Sequence, residues 1–557
     1  MGTNADRIIE MLKAAGVERL FGMPGGGSNA DLIEAAGNAG LPFTLAHTET
    51  ASAFMASAQA EITGKPGACL ATLGPGAASL MNGLANAHLD RVPLLVLTDC
   101  LGERDDGVMR HQALRHGEMF SAVVKWSARV RAGEIDETLE RALEEVLSLP
   151  AGAVHLDLSG DMTSASGGGI GADGGGTTHF DTHREIESHP RVAGLVSAPR
   201  GEIRDILREA RWPVFLVGLG ARSAGVASAI RGVCERMGIP ALVTYKAKGV
   251  VPDRHPWFGG VFTNAALEGN VLDRADLFVA VGLDPVELLP RPWRFARPLV
   301  SISAWPIEPS QMPAGLELVG DVVSLLDGVA DCLKGSQWDM GELRRLMEEQ
   351  REKMRPAPAF GRVTDDEKRS SVLLLPHRVV EIVAEAYAGA RATVDAGAHM
   401  FPVMALWPAE KPSGLLISNG LSTMGFALPA AIGAALLDPS KPVVVFTGDG
   451  GLMMCTGELR TAARENLPLR VIVFQDNALS LIKVKQEQRG YRTDGVSIGE
   501  IDWGLVASGF GVKGCRAVNE NELRSSLRET ADHPGPVLIA ARISEDAYGA
   551  TIRALRG

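Results

Sequence analysis

No two cysteines in this 557-residue chain are spaced as Cys-x-x-Cys; the six, at positions 69, 100, 234, 332, 455 and 515, are scattered. That argues against a zinc site or a disulfide framework and leaves small buried apolar side chains in a reducing compartment. Basic excess is also lacking. The net charge of −12 excludes the electropositive surface that a nucleic-acid partner requires. No block of like charge is long enough to act as a tail. No apolar run reaches the roughly 18 residues that cross a bilayer, so no membrane partner is expected. The opening stretch, Met1 to Asp6, has no basic and apolar signal region, and Asp6 stands where a myristoylation motif takes Ser or Thr. A cytoplasmic protein is the expectation.

What is present is apolar residues at 46%, enough for full-sized cores. At roughly 100–200 residues per domain the length predicts about three domains. Short β-branched runs (Ala68–Leu73, Leu94–Leu97, Val214–Val217, Leu277–Val281, Val443–Phe446, Val471–Phe474) alternate with helical patterns. That alternation predicts an α/β fold of doubly wound parallel sheets. Ser164–Pro190 carries seven glycines between Gly167 and Gly176 and little periodicity. Met340–Met354 is a charged helix followed by Pro356 and Pro358. Both read as connectors. The expected division is 1–165, a linker at 166–189, 190–335, a linker at 336–359, and 360–557. Arg7–Leu12 and Arg378–Val383 echo one another, a hint that the two outer segments share a fold.

The stretch from Val443 to Asn477 reads as a βαβ unit with its helical middle at Thr456–Glu465. Parallel strands joined by a crossover helix end on the same edge, where ligands bind. Asp449 and Asp476 then emerge side by side. Two hard oxygen donors at such an edge suit Mg²⁺, which completes its shell with phosphate and water. Gly448, Gly450 and Gly451 let backbone approach an anion closely. The alternative is that each acid merely caps a helix.

Asp449 and Asp476 lie 27 residues apart, and the region resembles the GDG-x(25–30)-N motif of thiamine diphosphate enzymes. The resemblance implies that Asp449, Asp476 and the carbonyl of Ala478 bind Mg²⁺, and that Leu479, Ser480 and Leu481 adjoin the cofactor. Asp476 stands where Asn is usual and Asn477 follows it, so Asn477 is the alternative ligand.

Residues 41–98, from Leu41-Pro42-Phe43 to Leu97-Thr98, resemble the pyrimidine-binding domain of the acetolactate synthase branch. Glu49 matches that family's catalytic glutamate, whose carboxyl group hydrogen-bonds the aminopyrimidine. Gly74-Pro75-Gly76, and Pro24, Gly25 and Gly26 in Phe21–Gly26, match further cofactor-binding turns. Asp395–His399 resembles the family's Asp-Val-Gly-Gln-His stretch, implying that Gly397, Ala398 and His399 meet the diphosphate; Ala398 replaces the Gln. In Gly420–Leu436, Ser422 and Met424 match the stretch carrying the large apolar residue beneath the bent cofactor. Met424 lies 25 residues before Asp449. Gln112, after His111, resembles a Phe-Gln pair near the reacting centre.

The middle segment resembles the family's central domain. Ser223 stands where a dinucleotide fingerprint after Gly218-Leu-Gly220 has Gly. Leu283–Leu289 replaces the Arg-Phe-Asp-Asp-Arg run of FAD-binding relatives, so FAD is not expected. Lys485 aligns with a tryptophan that shapes the acceptor pocket of biosynthetic synthases. With Lys483 it either attracts an anionic substrate group or faces solvent. The resemblance thus implies a thiamine diphosphate- and Mg²⁺-dependent enzyme acting on a 2-oxo acid by decarboxylation or carboligation, through a carbanion/enamine intermediate. A homodimer is the implied minimum, with tetramers among relatives. A 2-hydroxyacyl-CoA lyase or C–C hydrolase is the alternative enzyme, and a non-catalytic cofactor-binding homologue the alternative of another class.

Overall fold

Each apolar run marked in the sequence becomes a strand in the computed structural model, which describes residues 2–166, 200–307, 312–355, 373–544 and 547–556. The glycine-rich linker lies, from residue 167 onward, outside the described residues, as do Pro356 and Pro358 of the second. The charged helix of that second connector is present as Met340–Lys353.

The strands form three six-stranded sheets. The first holds β1 (Leu20–Met23), β2 (Phe43–Leu45), β3 (Gly67–Ala71), β4 (Leu94–Cys100), β5 (Trp126–Arg129) and β6 (Ala153–Ser159). The second holds β7 (Pro213–Val217), β8 (Ala241–Val243), β9 (Phe258–Val261), β10 (Leu277–Val281), β11 (Leu299–Ser303) and β12 (Leu316–Val319). The third holds β13 (Arg391–Val394), β14 (Leu415–Ile417), β15 (Val443–Gly448), β16 (Leu469–Gln475), β17 (Lys513–Ala517) and β18 (Val537–Arg542). Parallel pairing explains the composition. A strand covered on both faces has no solvent side and reads as a continuous apolar run, as in β4, β7 and β10, buried almost throughout.

The first sheet runs β2-β1-β3-β4-β6-β5 and the third β14-β13-β15-β16-β18-β17. These are the same order, so the faint echo between Arg7–Leu12 and Arg378–Val383 reflects a shared topology. The second sheet runs β12-β11-β10-β7-β8-β9, a different doubly wound order that reverses between β10 and β7.

The chain divides into two compact units. One combines the first sheet with Gly420–Lys441 and Met454–Leu469; the other holds the second sheet and most of the third. Within the first unit, the alanine-rich helix Glu49–Thr63 is capped by Thr48, whose hydroxyl accepts from Ala51 N at 3.1 Å, and is ended by left-handed Gly64. It packs on the helix Ala427–Leu437. A Cβ at Gly433 would stand 2.3 Å from the Met55 carbonyl oxygen. The Gly433 carbonyl accepts from Gln59 Nε2 at 3.0 Å, and Phe54 meets Phe426 edge-on with centroids 5.4 Å apart. Glu458 Oε1 accepts from the His47 amide at 2.8 Å, tying the second added segment to the chain just before Glu49.

Because backbone, not a flexible side chain, faces Gly433, Gly433→Ala should destabilise the first unit by about 1–3 kcal/mol. Thermal unfolding checks this, and an unchanged midpoint would contradict the contact.

Candidate active site

In the first unit, the turn Pro24–Gly27 leads β1 into the helix Ser28–Ala39. A Cβ at Gly25 would stand 2.4 Å from Thr72 Oγ1 and 2.5 Å from Asp99 Oδ2, so glycine is required for this turn to close on the ends of β3 and β4. Asp99 Oδ1 accepts from Asn29 N (3.0 Å), Asn29 Nδ2 (3.2 Å) and the Ser28 hydroxyl. Gly25 N donates to Asn29 Oδ1 at 3.1 Å. Burial pushes the Asp99 carboxyl up, and the hydrogen bond from Ser28 and the Asn29 amide work against it.

The same edge carries Glu49. It is the first residue of its helix, where an acid is favoured, and only 8% of it is exposed. None of the described residues hydrogen-bonds its carboxyl group. A Cβ at Gly76 would lie 3.1 Å from Glu49 Oε1. Gly74, at φ +65°, precedes Pro75 and presses on Gln112: a Cβ there would be 2.8 Å from Gln112 Cβ and 3.0 Å from its carbonyl oxygen. Gln112 itself sits at φ 59°. The structure therefore brings Pro24–Gly26, Glu49, Gly74–Gly76 and Gln112 to one edge. In this unit too, Ser422 is exposed at φ 53° and Met424 is half-buried. Between them Thr423 Oγ1 accepts from Asn82 Nδ2 at 3.1 Å.

In the second unit, β13, β15 and β16 present the other expected residues. Thr447 donates to Asp395 Oδ2 at 2.6 Å. A Cβ at Gly451 would stand 2.4 Å from that oxygen, and one at Gly448 3.3 Å from His399 Nδ1. Gly397 has φ 156° and Ala398 is buried. His399 stacks on Phe474 with centroids 5.3 Å apart. Burial drives its imidazole down to about 3, so it stays neutral, and its buried Nε2 has no hydrogen-bond partner.

Asp449 follows β15 directly. It opens the helix Asp449–Cys455, and the helix expected at Thr456–Glu465 is present as Glu458–Arg464. An acid in a first helical turn faces free amides, and Gly450 N donates to Asp449 Oδ1 at 2.8 Å. Asn477 N donates to Oδ2 at 2.6 Å, joining the two loops. Asp476 accepts from Ala478 N (3.2 Å) and the Ser480 hydroxyl (2.6 Å). The Asn477 amide fits best with its oxygen on Arg542, 2.6 Å away, so that oxygen is engaged elsewhere. Burial pushes the Asp449 carboxyl up despite the amides of Asn477 and Gly450. Burial, then Asp476 and Asp449, raise the Tyr548 phenol. A cation would relieve both carboxylates. Leu479 N donates to Val496 O at 2.8 Å, and Leu481 packs on the core of the third sheet. Lys483 lines a cleft of about 320 Å³ with Ser480, Glu487 and Arg553; Lys485 is exposed.

The donor chemistry fits the expected groups. The two carboxylates are hard oxygen ligands, and the glycine-lined loops with the orphaned His399 Nε2 suit an anion. In the second sheet the crevice at the order reversal is filled by the chain itself. A Cβ at Gly218 would be 2.3 Å from Leu283 Cα, and one at Gly220 2.9 Å from the Trp305 ring. Glu287 Oε2 accepts from Leu219 N (2.9 Å) and Asp284 N (3.2 Å), and the Thr244 hydroxyl donates to Oε1. Burial raises this carboxyl to about 7 against those hydrogen bonds.

Residues 3–120 match the N-terminal TPP binding domain of thiamine pyrophosphate enzymes, 201–329 the central domain and 395–541 the C-terminal TPP binding domain. The chain belongs to this family and is a thiamine diphosphate-dependent enzyme. Within it the chain is acetolactate synthase-like. It is 29% identical over 553 residues to acetolactate synthase of Bacillus subtilis (strain 168), covering 96% of this chain and 92% of the relative. The acetolactate synthase isozyme 1 large subunit of Escherichia coli (strain K12) is 28% identical, covering 98% and 94%. The catabolic acetolactate synthase of Raoultella terrigena is 27% identical, covering 96% and 94%.

Sequence reasoning passed over Asp99, His116, Asp157 and Glu287. Asp99 was within reach, since it ends an apolar strand as Asp449 does. Glu287 has a measurable consequence. It holds its proton to about 7 in the fold against 4.5 ordinarily, so the native state binds the extra proton between those values. Its stabilising contribution is complete below about pH 4.5 and is lost as pH rises through about 7. Urea unfolding of Glu287→Gln should therefore lose less stability from pH 5 to 7 than the parent. Equal slopes would contradict this.

Proposed function

We propose that the enzyme uses thiamine diphosphate and Mg²⁺ to decarboxylate a 2-oxo acid and join the retained fragment to a second carbonyl compound. The observation that carries the proposal is Glu49: a buried carboxyl group, unpaired among the described residues, beside a glycine turn. A carboxyl group with no protein partner can hydrogen-bond a bound base and exchange a proton with it. Thiamine diphosphate, when bound, supplies a nucleophilic carbon and an electron sink.

In this reading Glu49 holds the aminopyrimidine, with Pro24, Gly25, Gly26, Gly74 and Pro75 lining its side and Met424 and Ser422 supporting the ring. Gln112 faces the reacting centre. Asp449, Asp476 and the Ala478 carbonyl hold Mg²⁺. Gly397, Ala398, His399, Gly448, Gly450, Gly451, Leu479, Ser480 and Leu481 cradle the diphosphate, His399 as a neutral donor. Asp476 is preferred to Asn477 because the Asn477 oxygen is turned to Arg542. FAD has no place, since Glu287 occupies the loop amide that a dinucleotide would use. Lys483, which lines a cleft next to the Asp476 loop, favours a substrate with an added acidic group; Lys485, being exposed, carries less of this. The three sheets serve as the pyrimidine-binding, central and diphosphate-binding domains of residues 1–165, 190–335 and 360–557. Two copies of a cytoplasmic chain share each site, so a dimer is the smallest active form and a tetramer pairs two.

The test is incubation of the protein with thiamine diphosphate, Mg²⁺ and a panel of 2-oxo acids, with products read by mass spectrometry. Release of CO2 with a carboligated product is expected. Silence across the panel with cleavage of a 2-hydroxyacyl-CoA would move the assignment to a lyase. Glu49→Gln should cut turnover by at least about 100-fold while cofactor affinity changes little; undiminished turnover would remove Glu49 from its role. Asp449→Ala should abolish Mg²⁺-dependent cofactor binding, read by tryptophan fluorescence.

A further inference from the structure

A chain of buried hydrogen bonds runs through the first unit and ends at the turn beside Glu49. His116 is 3% exposed and His155 fully buried, and both ring edges lie near Phe120. His116 Nε2 accepts from the Gly74 amide at 3.4 Å. Its Nδ1 must then carry the proton, which it donates to Asp157 Oδ1 at 2.7 Å. Thr98 donates to the same oxygen at 2.7 Å, leaving its own oxygen to accept from His155 Nε2 at 2.7 Å. His155 Nδ1 in turn accepts from Ser127 at 2.8 Å. Every bond in the chain then has one direction, and the chain has a single open end at the Gly74 main chain. Burial alone would lift the Asp157 carboxyl; its two histidine neighbours, His116 and His155, outweigh it and hold it well below the usual carboxylate range.

His116, His155 and Asp157 bring their ligand atoms within 4.8 Å of one another, as a metal site would. Thr98 Oγ1, however, stands 2.7 Å from both Asp157 and His155 and 3.3 Å from His116. The hydroxyl takes the central place, and each ring nitrogen already has a partner.

We propose that His116 is a positioning residue: its imidazole fixes the Gly74 amide and thereby the turn that meets Gln112 on one side and Glu49 on the other. Gly74 at φ +65° and Gln112 at φ 59° are both left-handed, and Gln112 holds that conformation without being glycine. Such paired turns need an outside anchor, and His116 supplies it from only four residues beyond Gln112. The inference rests on the reading of Glu49 and Gly74 as the cofactor's pyrimidine side.

Two substitutions separate the halves of the imidazole. His116→Asn keeps a donor for Asp157 and loses the acceptor for Gly74. His116→Gln places an oxygen near the Nε2 position and weakens the bond to Asp157. Amide hydrogen exchange in residues 72–78, read without cofactor, should quicken about tenfold in the Asn variant. Its kcat should fall roughly tenfold or more with KM nearly unchanged. The Gln variant should recover most of both. Unchanged exchange in the Asn variant, losses that follow melting temperature and are worse in Gln, or one zinc per parent chain would each overturn the proposal. Undiminished turnover in Glu49→Gln overturns the site reading instead, and the cofactor-free exchange tells the two failures apart.

Discussion

Glu49 is 8% exposed and its carboxyl group has no hydrogen-bond partner among the described residues, so the architecture around it alone fixes its position. With no donor to fix it, the group depends on the packing around it. The Thr48 cap fixes the start of its helix, Gly433 lets a second helix close on that helix, and Gly76 leaves room beside its oxygen. A carboxyl group held in place without a protein partner is available to bond a ligand.

The third sheet handles the same difficulty differently. Asp449, 2% exposed, accepts two main-chain amides, one from its own helix and one from the loop after β16. Its carboxylate therefore joins two loops before any cation arrives. The first and third sheets share one strand order, so one topology carries an unpaired acid at one edge and a bridging acid at the other. The second sheet uses a buried acid in a third way. Glu287 seals the crevice that its strand order creates, accepting the amide of Leu219. Three acids near strand ends thus serve as an open site, a clasp and a plug, and the difference lies in how many donors reach each.

Much of this was readable in the sequence. Strands such as β10 announce themselves because burial on both faces demands an unbroken apolar run. The 27-residue spacing of Asp449 and Asp476 follows from one βαβ unit, and Glu49 and Gly74, singled out by the family motifs, lie at one edge. The short helix beginning at Asp449 was not expected, since Gly450 and Gly451 are poor helix formers, whereas the free amides of a helix start donate to that acid. His116 was invisible for another reason. Its partners Thr98 and Asp157 lie 18 and 41 residues away and become neighbours only when β4 and β6 pair. Glu287 gave no signal either, since a fingerprint search looks for the glycines of a phosphate loop and not for an internal anion on it.

The central claim is that Glu49 of one copy and Asp449 of another serve the same coenzyme. The direct measurement is complementation between two inactive chains, one carrying Glu49→Gln and the other Asp449→Ala, produced together and purified through separate tags. A shared site leaves one intact centre in every mixed dimer, so the purified mixed dimer should show about half the parental turnover. Mixed dimers as inactive as either parent variant would place both acids on one chain's own site and contradict the account.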